Sequence, residues 1–329
     1  MGKTTNKTTN ASRWGIVCTV LAPPETLGDF LAYHLDLGAS EIHVFLDDDS
    51  PENLAAFGDT DRVYIHKTHD GFWERHKRGY RPEKHQTRQA WAANWLYHHH
   101  PLELDWITHI DVDEFLCPQG DIGQILAKAE PHENWLRIRP AEALVYEGAE
   151  GLDPDTTYAK AYSPHRPKDN FIFDDIYPTF WRYLRSGFLS HLQGKLFFRT
   201  NQNRQIIDIH ITARRGIPIP PDRVLDEIEL CHLHYPSRKI WSEKVPFRME
   251  RGSYIAADPD KLKAEAFDLN LHHLFSILSA KDSEVTLDDF FDEVCLASPK
   301  LIEKLRDHNL LKTFQLDTQN KRRAYFPEL

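Results

Sequence analysis

The sequence predicts a mixed α/β protein with a mainly parallel sheet, and three observations lead to that fold class. Apolar runs typical of β-strands alternate with helical patterns from residue 14 to residue 110, and a β-α-β-α-β order requires parallel strands. The chain has 329 residues, 41% of them hydrophobic, which is enough for a large core. Acidic residues directly follow two predicted strands, at the edge where parallel sheets bind ligands.

The elements of the first half are predicted from their apolar spacing and their end signals. Short apolar runs bounded by turn residues predict strands, and apolar residues three and four apart predict helices. Ser50 followed by Pro51 marks one helix start, because serine accepts a backbone N–H bond and proline lacks an N–H. The predicted strands and helices lie at residues 14–21, 25–38, 41–47, 51–57, 62–66, 82–99 and 106–110.

The second half of the chain is less regular. Residues 147–194 are rich in proline, aspartate and aromatic residues and support no assignment, whereas the pattern is helical from about residue 237 to the end. Strands are predicted at residues 135–140, 195–200, 206–212 and 228–235. Residues 1–12 are polar and are predicted to be disordered.

Charge and composition exclude several classes of function. With 50 acidic and 40 basic residues the formal charge is -10, which argues against a broad nucleic-acid surface. Four widely spaced cysteines favour reduced thiols over disulfides or zinc. The first residues lack the apolar core of a signal peptide, and no run approaches the ~20 apolar residues of a membrane span. We expect a cytoplasmic protein with at most peripheral membrane contact.

The stretch LDWITHIDVDEFLCP places an acidic cluster directly behind an apolar strand. Residues two apart on an extended chain point the same way, so Asp111 and Asp113 are expected to face one point. Their oxygens suit hard cations such as Mn²⁺ or Mg²⁺, which keep positions open for phosphate oxygens. An EF-hand is excluded because Phe115 occupies a ligand position. The alternative is a cluster that only faces water.

Other polar residues are predicted to lie near this cluster. Asp47 and Asp49 follow the second strand, where they are placed to accept hydrogen bonds from a ribose or a base, although Asp49 could equally cap a helix. His232 and His234 share one face of a strand, and His234 is the one expected to reach a metal or a diphosphate. Lys195 is a candidate to neutralise a diphosphate.

These blocks together resemble a known family. The run ETLGDFLAYHLDLGASEIHVFLDDDSPENL followed by DWITHIDVDEFL is similar to the family 2 type glycosyltransferases of the GT-A fold, in particular the bacterial branch related to the family 92 (DUF23) enzymes. The later blocks GKLFFRT, IHI, CHLHYP and RGSY extend the resemblance over about residues 14 to 254. One departure is Pro23-Pro24-Glu25, where the family usually has Lys-Asn-Glu. The loop that recognises the base is therefore expected to differ.

The resemblance implies a GT-A catalytic domain at 13–254 with a helical C-terminal extension at 255–329, and transfer of a hexose from a UDP- or GDP-sugar. The acceptor would be a hydroxyl of a glycan or a lipid-linked glycan, as in bacterial surface polysaccharide synthesis. The implied residues for the nucleotide sugar are Glu25, Asp47, Asp49, Asp111 and Lys195. The implied metal ligands for Mn²⁺ or Mg²⁺ are Asp111, Asp113 and His234. An inverting reaction also needs a base, for which Glu142 is preferred over Asp174 and Asp175.

Two alternatives from other classes stay open. A haloacid-dehalogenase-like phosphatase also uses Asp-x-Asp after an apolar strand, with the first aspartate as nucleophile. Phe115 stands where that class expects Thr or Val, and the motif comes after three strands. The other alternative is a nucleotide-sugar-binding protein that has lost catalysis, for which the Pro23-Pro24 loop is the indication.

Overall fold

The structure is a computed structural model of the chain. It describes residues 11–75, 79–163, 171–184, 186–202, 205–210, 212–214, 217–251, 271–280 and 284–329. The predicted disordered segment lies mostly outside the described residues, as does the predicted domain boundary at residue 254.

Two compact units divide the chain, and neither is continuous in sequence. The first contains Met1–Pro140, Gln193–Leu230 and Asp317–Leu329, and the second contains Ala141–Leu192 and Cys231–Leu316. Each unit has its own cluster of buried apolar side chains. The last residues of the chain thus belong with the first unit.

The first unit is a mixed α/β unit with a sheet that begins parallel and becomes antiparallel. Its strands are β1 (Trp14–Val20), β2 (Glu41–Leu46), β3 (Val63–Lys67), β4 (Trp106–His109), β5 (Glu114–Pro118), β6 (Trp135–Ala143), β8 (Lys195–Arg199) and β11 (Arg223–His232), and a separate two-stranded sheet contains β9 (Thr212–Arg214) and β10 (Ile217–Ile219). The order in the main sheet is β6-β8-β4-β1-β2-β3, and the pairs among β4, β1, β2 and β3 are parallel. β8 pairs antiparallel with both β4 and β6, and β5 pairs with β11.

Helices cover both faces of this sheet because its strands alternate two apolar sets. On β1, Ile16 and Cys18 join one buried cluster and Val17 joins another. The cluster around Val17 contains Ala92 and Leu96 of α4 (His85–His99). The helices of this unit are α1 (Pro24–Asp36), α2 (Pro51–Phe57), α3 (Asp70–Trp73), α4 (His85–His99), α5 (Ile122–Leu126) and α11 (Thr318–Tyr325).

The second unit is built mainly from helices around a separate apolar core. Trp241 and Phe290 stack at its centre with a ring distance of 6.0 Å. β12 pairs antiparallel with β7, and β7 pairs with the last residues of β6. Its elements are β7 (Thr157–Ala161), α6 (Phe171–Ile176), α7 (Arg238–Arg251), α8 (Leu271–Leu278), α9 (Leu287–Val294), α10 (Pro299–Asp307) and β12 (Leu311–Phe314).

None of the helices that the structure describes is long and apolar enough to cross a bilayer.

Most predicted elements are confirmed to within a few residues, and two predictions are wrong. No strand forms over the described residues 205–210, although 206–212 was predicted as a strand. Asn94 bonds both the N–H and the carbonyl of Ile207, so a side chain takes the place of a strand partner there. The predicted all-helical C-terminal region contains β12, because Leu311–Phe314 completes its backbone hydrogen bonds with β7.

The last helix packs on the first. The Lys321 ammonium contacts the Asp36 carboxylate, and Arg322 Nη1 donates to the Glu25 carbonyl at 2.9 Å. The rings of Phe326 and Phe57 meet edge to face with centroids 5.0 Å apart. Lys321 and Arg322 are thus engaged within the first unit, whereas Arg323 is exposed.

Removal of the last helix is expected to destabilise the first unit. A chain that ends after Thr318 should lose about 2 kcal/mol in the free energy of unfolding, because Phe326 and Leu329 leave partly buried positions. Urea unfolding measures this loss. The control is Arg323→Ala, an exposed change that should stay within about 0.5 kcal/mol of the parent. Equal stability of the truncated and full chains would contradict a role for the packed helix.

Candidate functional site

Two acidic residues mark the carboxyl edge of the parallel strands in the first unit. Asp47 directly follows β2, and Asp111 follows β4 after one residue. β1 lies between β2 and β4, so the two strand ends are separated by two strand spacings, roughly 9.5 Å. The predicted meeting of these acids at one edge is confirmed. Their partners were not predicted.

Asp47 is completely buried and is bound by three basic side chains. Arg88 donates from Nε to Oδ1 at 2.7 Å and from Nη2 to Oδ2 at 2.6 Å, which is a bidentate pair. Arg81 donates from Nη2 to Oδ1 at 3.0 Å, and His85 Nδ1 lies 3.2 Å from Oδ2. Burial would raise the pKa of Asp47, but the hydrogen bonds from His85 and Arg88 and the charges of both arginines lower it below its ordinary value.

Arg88 also fixes the loop that precedes its helix. Its Nη1 donates to the carbonyls of Pro82 and Glu83, at 2.9 and 2.6 Å. Because its Nε and Nη2 are engaged by Asp47, every nitrogen of this buried guanidinium has a partner. Arg88 therefore ties the end of β2 to the start of α4. The pairing of Asp47 with Arg88 was not predicted, because Asp47 was expected to accept hydrogen bonds from a ligand.

Asp111 is bound by a buried amide and a buried ammonium. Gln89 Nε2 donates to Oδ1, and Lys195 Nζ lies 2.8 Å from Oδ2. The same ammonium lies 3.1 Å from Glu114 Oε2. Burial would lower the pKa of Lys195, but the charges of Asp111 and Glu114 raise it above its ordinary value. Lys195 is therefore held as a buried cation beneath the acidic cluster.

The acidic stretch is a turn rather than the extended chain that was predicted. β4 ends at His109 and β5 begins at Glu114. The turn is closed twice: the Asp111 N–H donates to Glu114 Oε2 at 2.8 Å, and the Glu114 N–H donates to the Asp111 carbonyl at 3.0 Å. The Glu114 carboxylate thus shapes the backbone that presents Asp111 and Asp113. Simple strand alternation could not predict this role.

Three residues of α4 connect the two acidic strand ends, and sequence reasoning missed them. His85 and Arg88 contact Asp47, and the next residue, Gln89, contacts Asp111. A signal for them was present: residues 85, 88 and 89 continue the helical stripe of the buried Ala92, Ala93 and Leu96 towards the amino end. Polar residues that continue an apolar stripe indicate buried polar contacts.

Two other predicted nucleotide ligands have different surroundings. Asp49 has a positive φ of 51°, and its Oδ1 accepts the N–H of Thr68. Ser50 caps α2 as predicted, through the N–H of Asn53 at 3.3 Å. Glu25 is exposed in the first turn of α1. Asp49 therefore has a local role between the ends of β2 and β3, and Glu25 has an accessible carboxylate.

The charges divide the edge into two halves. Two guanidinium groups surround Asp47, which leaves that half with a formal excess of one positive charge. At the end of β4, the carboxylates of Asp111 and Glu114 share the Lys195 ammonium, and Asp113 lies between them in the chain. These oxygens are of the kind that Mn²⁺ and Mg²⁺ prefer, so Asp111 and Asp113 suit a divalent cation in chemistry. Within the described residues, however, no group of three His, Cys, Asp or Glu side chains is placed to hold one ion.

The predicted bases lie in the second unit, where Glu142 is part of a buried ion pair. Its Oε1 lies 2.6 Å from Lys160 Nζ, and both side chains are almost completely buried. Both carboxylate oxygens also accept the N–H of Leu189, at 3.1 and 3.0 Å. Burial would raise the pKa of Glu142, but the charge of Lys160 lowers it. These contacts give Glu142 a structural role within this unit.

Asp174 and Asp175 lie on α6 of the same unit. Asp175 is paired with Lys304 Nζ at 2.6 Å and with His308 Nε2 at 2.8 Å, both on or next to α10. These contacts join α6 to α10, and the exposed position of the pair limits its contribution to stability. None of the described contacts distinguishes Asp174 as a base.

His234 also belongs to the second unit and has a fixed protonation pattern. Arg248 Nη1 lies 2.7 Å from His234 Nε2, and a guanidinium can only donate, so Nε2 is the acceptor. The proton is then on Nδ1, which lies 3.4 Å from His232 Nε2. Burial lowers the pKa of His234 well below its ordinary value, and the charges of His232 and Arg248 act in the same direction. His234 is therefore neutral, with its Nε2 lone pair directed at Arg248.

Fold and site together define a mixed α/β protein with a charged site at the carboxyl edge of parallel strands. Comparison of the chain with protein-family models and with curated proteins gives no match.

Proposed function

We propose that this protein is a glycosyltransferase of the GT-A type that moves a sugar from a nucleoside diphosphate sugar to an acceptor hydroxyl. One observation carries the proposal: adjacent residues of α4, Arg88 and Gln89, bind the acidic ends of two parallel strands at Asp47 and Asp111. This is the edge at which doubly wound sheets bind nucleotides. The Asp-x-Asp resemblance of residues 111–113 supports the same function.

The division of charge at this edge suits such a donor. A nucleoside diphosphate sugar carries negative phosphates, which the cationic half around Asp47 would attract. It also brings a divalent cation, which the acidic half would attract. Asp111 and Asp113 would hold this Mn²⁺ or Mg²⁺, and the ion would stabilise the charge that develops on the diphosphate. The acceptor is proposed to be a glycan or a lipid-linked glycan, with at most peripheral membrane contact.

The chemistry is a displacement at the anomeric carbon. The acceptor oxygen forms a bond to that carbon, the bond to the diphosphate breaks, and the electron pair leaves with the diphosphate. In an inverting reaction, a base accepts the proton of the acceptor hydroxyl. Lys195 supplies a fixed positive charge behind Asp111. The assignment of the base to Glu142, Asp174 or Asp175 stays a prediction.

The chain order of the strands argues against the phosphatase alternative. Asp111 follows β4, behind three earlier strands, and Phe115 stands where that class expects Thr or Val. The binding protein without catalysis keeps the same nucleotide contacts, so only a transfer assay separates it from a transferase.

Replacement of Asp113 by asparagine tests the proposal. We expect transfer from UDP- or GDP-sugars in the presence of Mn²⁺ to fall about a hundredfold, because a neutral amide no longer attracts the cation. Near-ultraviolet circular dichroism should be unchanged, since Asp113 is partly exposed in a turn. The matched control is Asp61→Asn, an exposed aspartate outside the site that should leave transfer unchanged.

Three outcomes separate the candidate functions. Transfer that depends on Asp113 supports the transferase. Hydrolysis of a generic phosphate ester without sugar transfer would establish the phosphatase instead. Nucleotide binding by the wild-type protein with neither activity would leave the binding protein, and nucleotide binding that EDTA does not affect would rule out the proposed metal role.

A further inference from the structure

Two half-exposed basic side chains stand over the buried carboxylate of Asp47. The Arg81 side chain is 44% exposed and the His85 side chain is 42% exposed, whereas the Asp47 side chain is fully buried. Both basic groups reach the carboxylate with one nitrogen only: Arg81 uses Nη2, and His85 uses Nδ1. Each of these two side chains is thus held by the buried carboxylate of Asp47 and remains partly exposed to solvent.

The remaining nitrogens of these two side chains have no partner among the residues that the structure describes. Arg81 Nη2 also donates to the Asp47 carbonyl at 2.8 Å, but its Nε and Nη1 make no described hydrogen bond. The same is true of His85 Nε2. A guanidinium has five N–H donors, so three donors of Arg81 are available beside the second imidazole nitrogen of His85.

We propose that Arg81 and His85 form a subsite for a phosphate group of the ligand, and that Asp47 positions them. The carboxylate of Asp47 is bound by Arg88, Arg81 and His85, so this half of the edge presents the remaining N–H donors of Arg81, and His85 Nε2 adds a donor when the imidazole carries both protons. A guanidinium edge matches two phosphate oxygens, and an anchored guanidinium loses little rotational freedom when it binds them. The identification of the phosphate as part of a sugar nucleotide rests on the proposed function.

The subsite reverses the role first expected for Asp47. A carboxylate that is open to a ligand would select a donor group such as a ribose hydroxyl or a base N–H. The observed carboxylate has Arg88 on both of its oxygens and is closed to solvent. Recognition at this half therefore depends on donors from the protein, and Asp47 acts through Arg81 and His85.

Calorimetric titration with inorganic pyrophosphate tests the subsite in the full chain. EDTA is present throughout, so that binding through a metal does not contribute. We expect Arg81→Gln to weaken pyrophosphate binding about tenfold, and Arg81→Lys to weaken it less, because lysine keeps the charge but loses the planar fork. His85→Asn should weaken binding about threefold. The control is Arg75→Gln, an exposed arginine on the preceding turn, which should bind pyrophosphate as the wild type does.

The inference is overturned if the wild-type chain does not bind pyrophosphate, or if Arg81→Gln binds it equally well. Malonate at the same concentrations is the second probe. If malonate binds as tightly as pyrophosphate and with the same dependence on Arg81, the site is a general anion site and the assignment to phosphate is wrong. Binding of pyrophosphate that depends on Arg81, in a protein that transfers no sugar, would contradict only the proposed function. Sugar transfer with no effect of Arg81→Gln on pyrophosphate would contradict only the subsite.

Discussion

Replacement of Lys195 by methionine is expected to lower the free energy of unfolding by about 3–5 kcal/mol. The ammonium is fully buried and lies 2.8 Å from Asp111 and 3.1 Å from Glu114. Its removal takes the ammonium from the buried Glu114 and the partly buried Asp111, and a carboxylate that loses a cation in a buried position is destabilising. Urea unfolding at neutral pH measures the change.

Two further variants show whether charge causes the loss. Lys195→Met combined with Glu114→Gln should recover part of the stability, because one of the two carboxylates that lose the ammonium becomes neutral. Lys128→Met removes a lysine that is 62% exposed and lies 3.8 Å from Glu227, so it should change stability by less than about 0.5 kcal/mol. If the Lys195 and Lys128 variants were equally stable, the buried ion cluster would not hold the turn in place.

Through His34 and His66 alone, acidification from pH 7 to pH 5 is expected to remove about 3–4 kcal/mol from the stability of the first unit. Burial lowers the pKa of His34 to about 3, and burial with the charges of His43 and His100 lowers the pKa of His66 to about 3. The unfolded chain binds these protons near its ordinary pKa of about 6.5. Below that pH the unfolded state binds more protons, so stability falls with decreasing pH until the folded pKa values are reached.

The hydrogen bonds fix the tautomers of these imidazoles. His34 Nδ1 donates to the Phe30 carbonyl at 2.8 Å, and its Nε2 accepts the N–H of Leu116 at 3.3 Å. A proton on Nε2 would break the second bond. Glu41 accepts from His43 Nε2 at 3.0 Å, so His43 Nδ1 is left to accept from His66 Nε2 at 3.1 Å. His66 is the donor of that last bond, so its neutral form rests on burial and on the charges of His43 and His100.

Replacement of His66 by glutamine tests the origin of the acid sensitivity. Glutamine keeps an N–H donor near His43 but does not titrate, so the stability lost between pH 7 and pH 5 should shrink by about 2 kcal/mol. Urea unfolding of both proteins at both pH values measures the difference. The exposed His69 gives the matched control, since His69→Gln should leave the acid loss unchanged. An equal acid loss in the His66 variant and the parent would contradict this origin.

Much of the fold was predictable because its signals are local. The strands β1, β2, β3 and β4 are short apolar runs, and α2 begins at the predicted Ser50 with its proline. Two predictions failed where the deciding contact is distant in sequence. β12 pairs with β7 about 150 residues earlier, and Asn94 bonds the backbone of Ile207 from 113 residues away. No local pattern at residues 206–212 or 311–314 carries that information.

The candidate site, like the fold, has features that local sequence predicts and features that depend on distant contacts. That acidic residues stand at the carboxyl edge of the sheet followed from the positions of Asp47 and Asp111 behind two parallel strands. The contacts of these two carboxylates could not be predicted from their positions in the sequence. Arg88, Gln89 and Lys195 approach from a helix and from a strand far along the chain, and they decide that the carboxylates are paired.

The sequence by itself determined the mixed α/β class and the edge at which the site lies, because apolar period and strand order act over short distances. Only the tertiary structure decided which charges meet. It placed Glu142 with Lys160, Asp47 with Arg88, and Asp111 with Lys195. The physical reason is that a carboxylate leaves water only where a cation or N–H groups replace its hydration, and those partners come from elements that folding alone brings together.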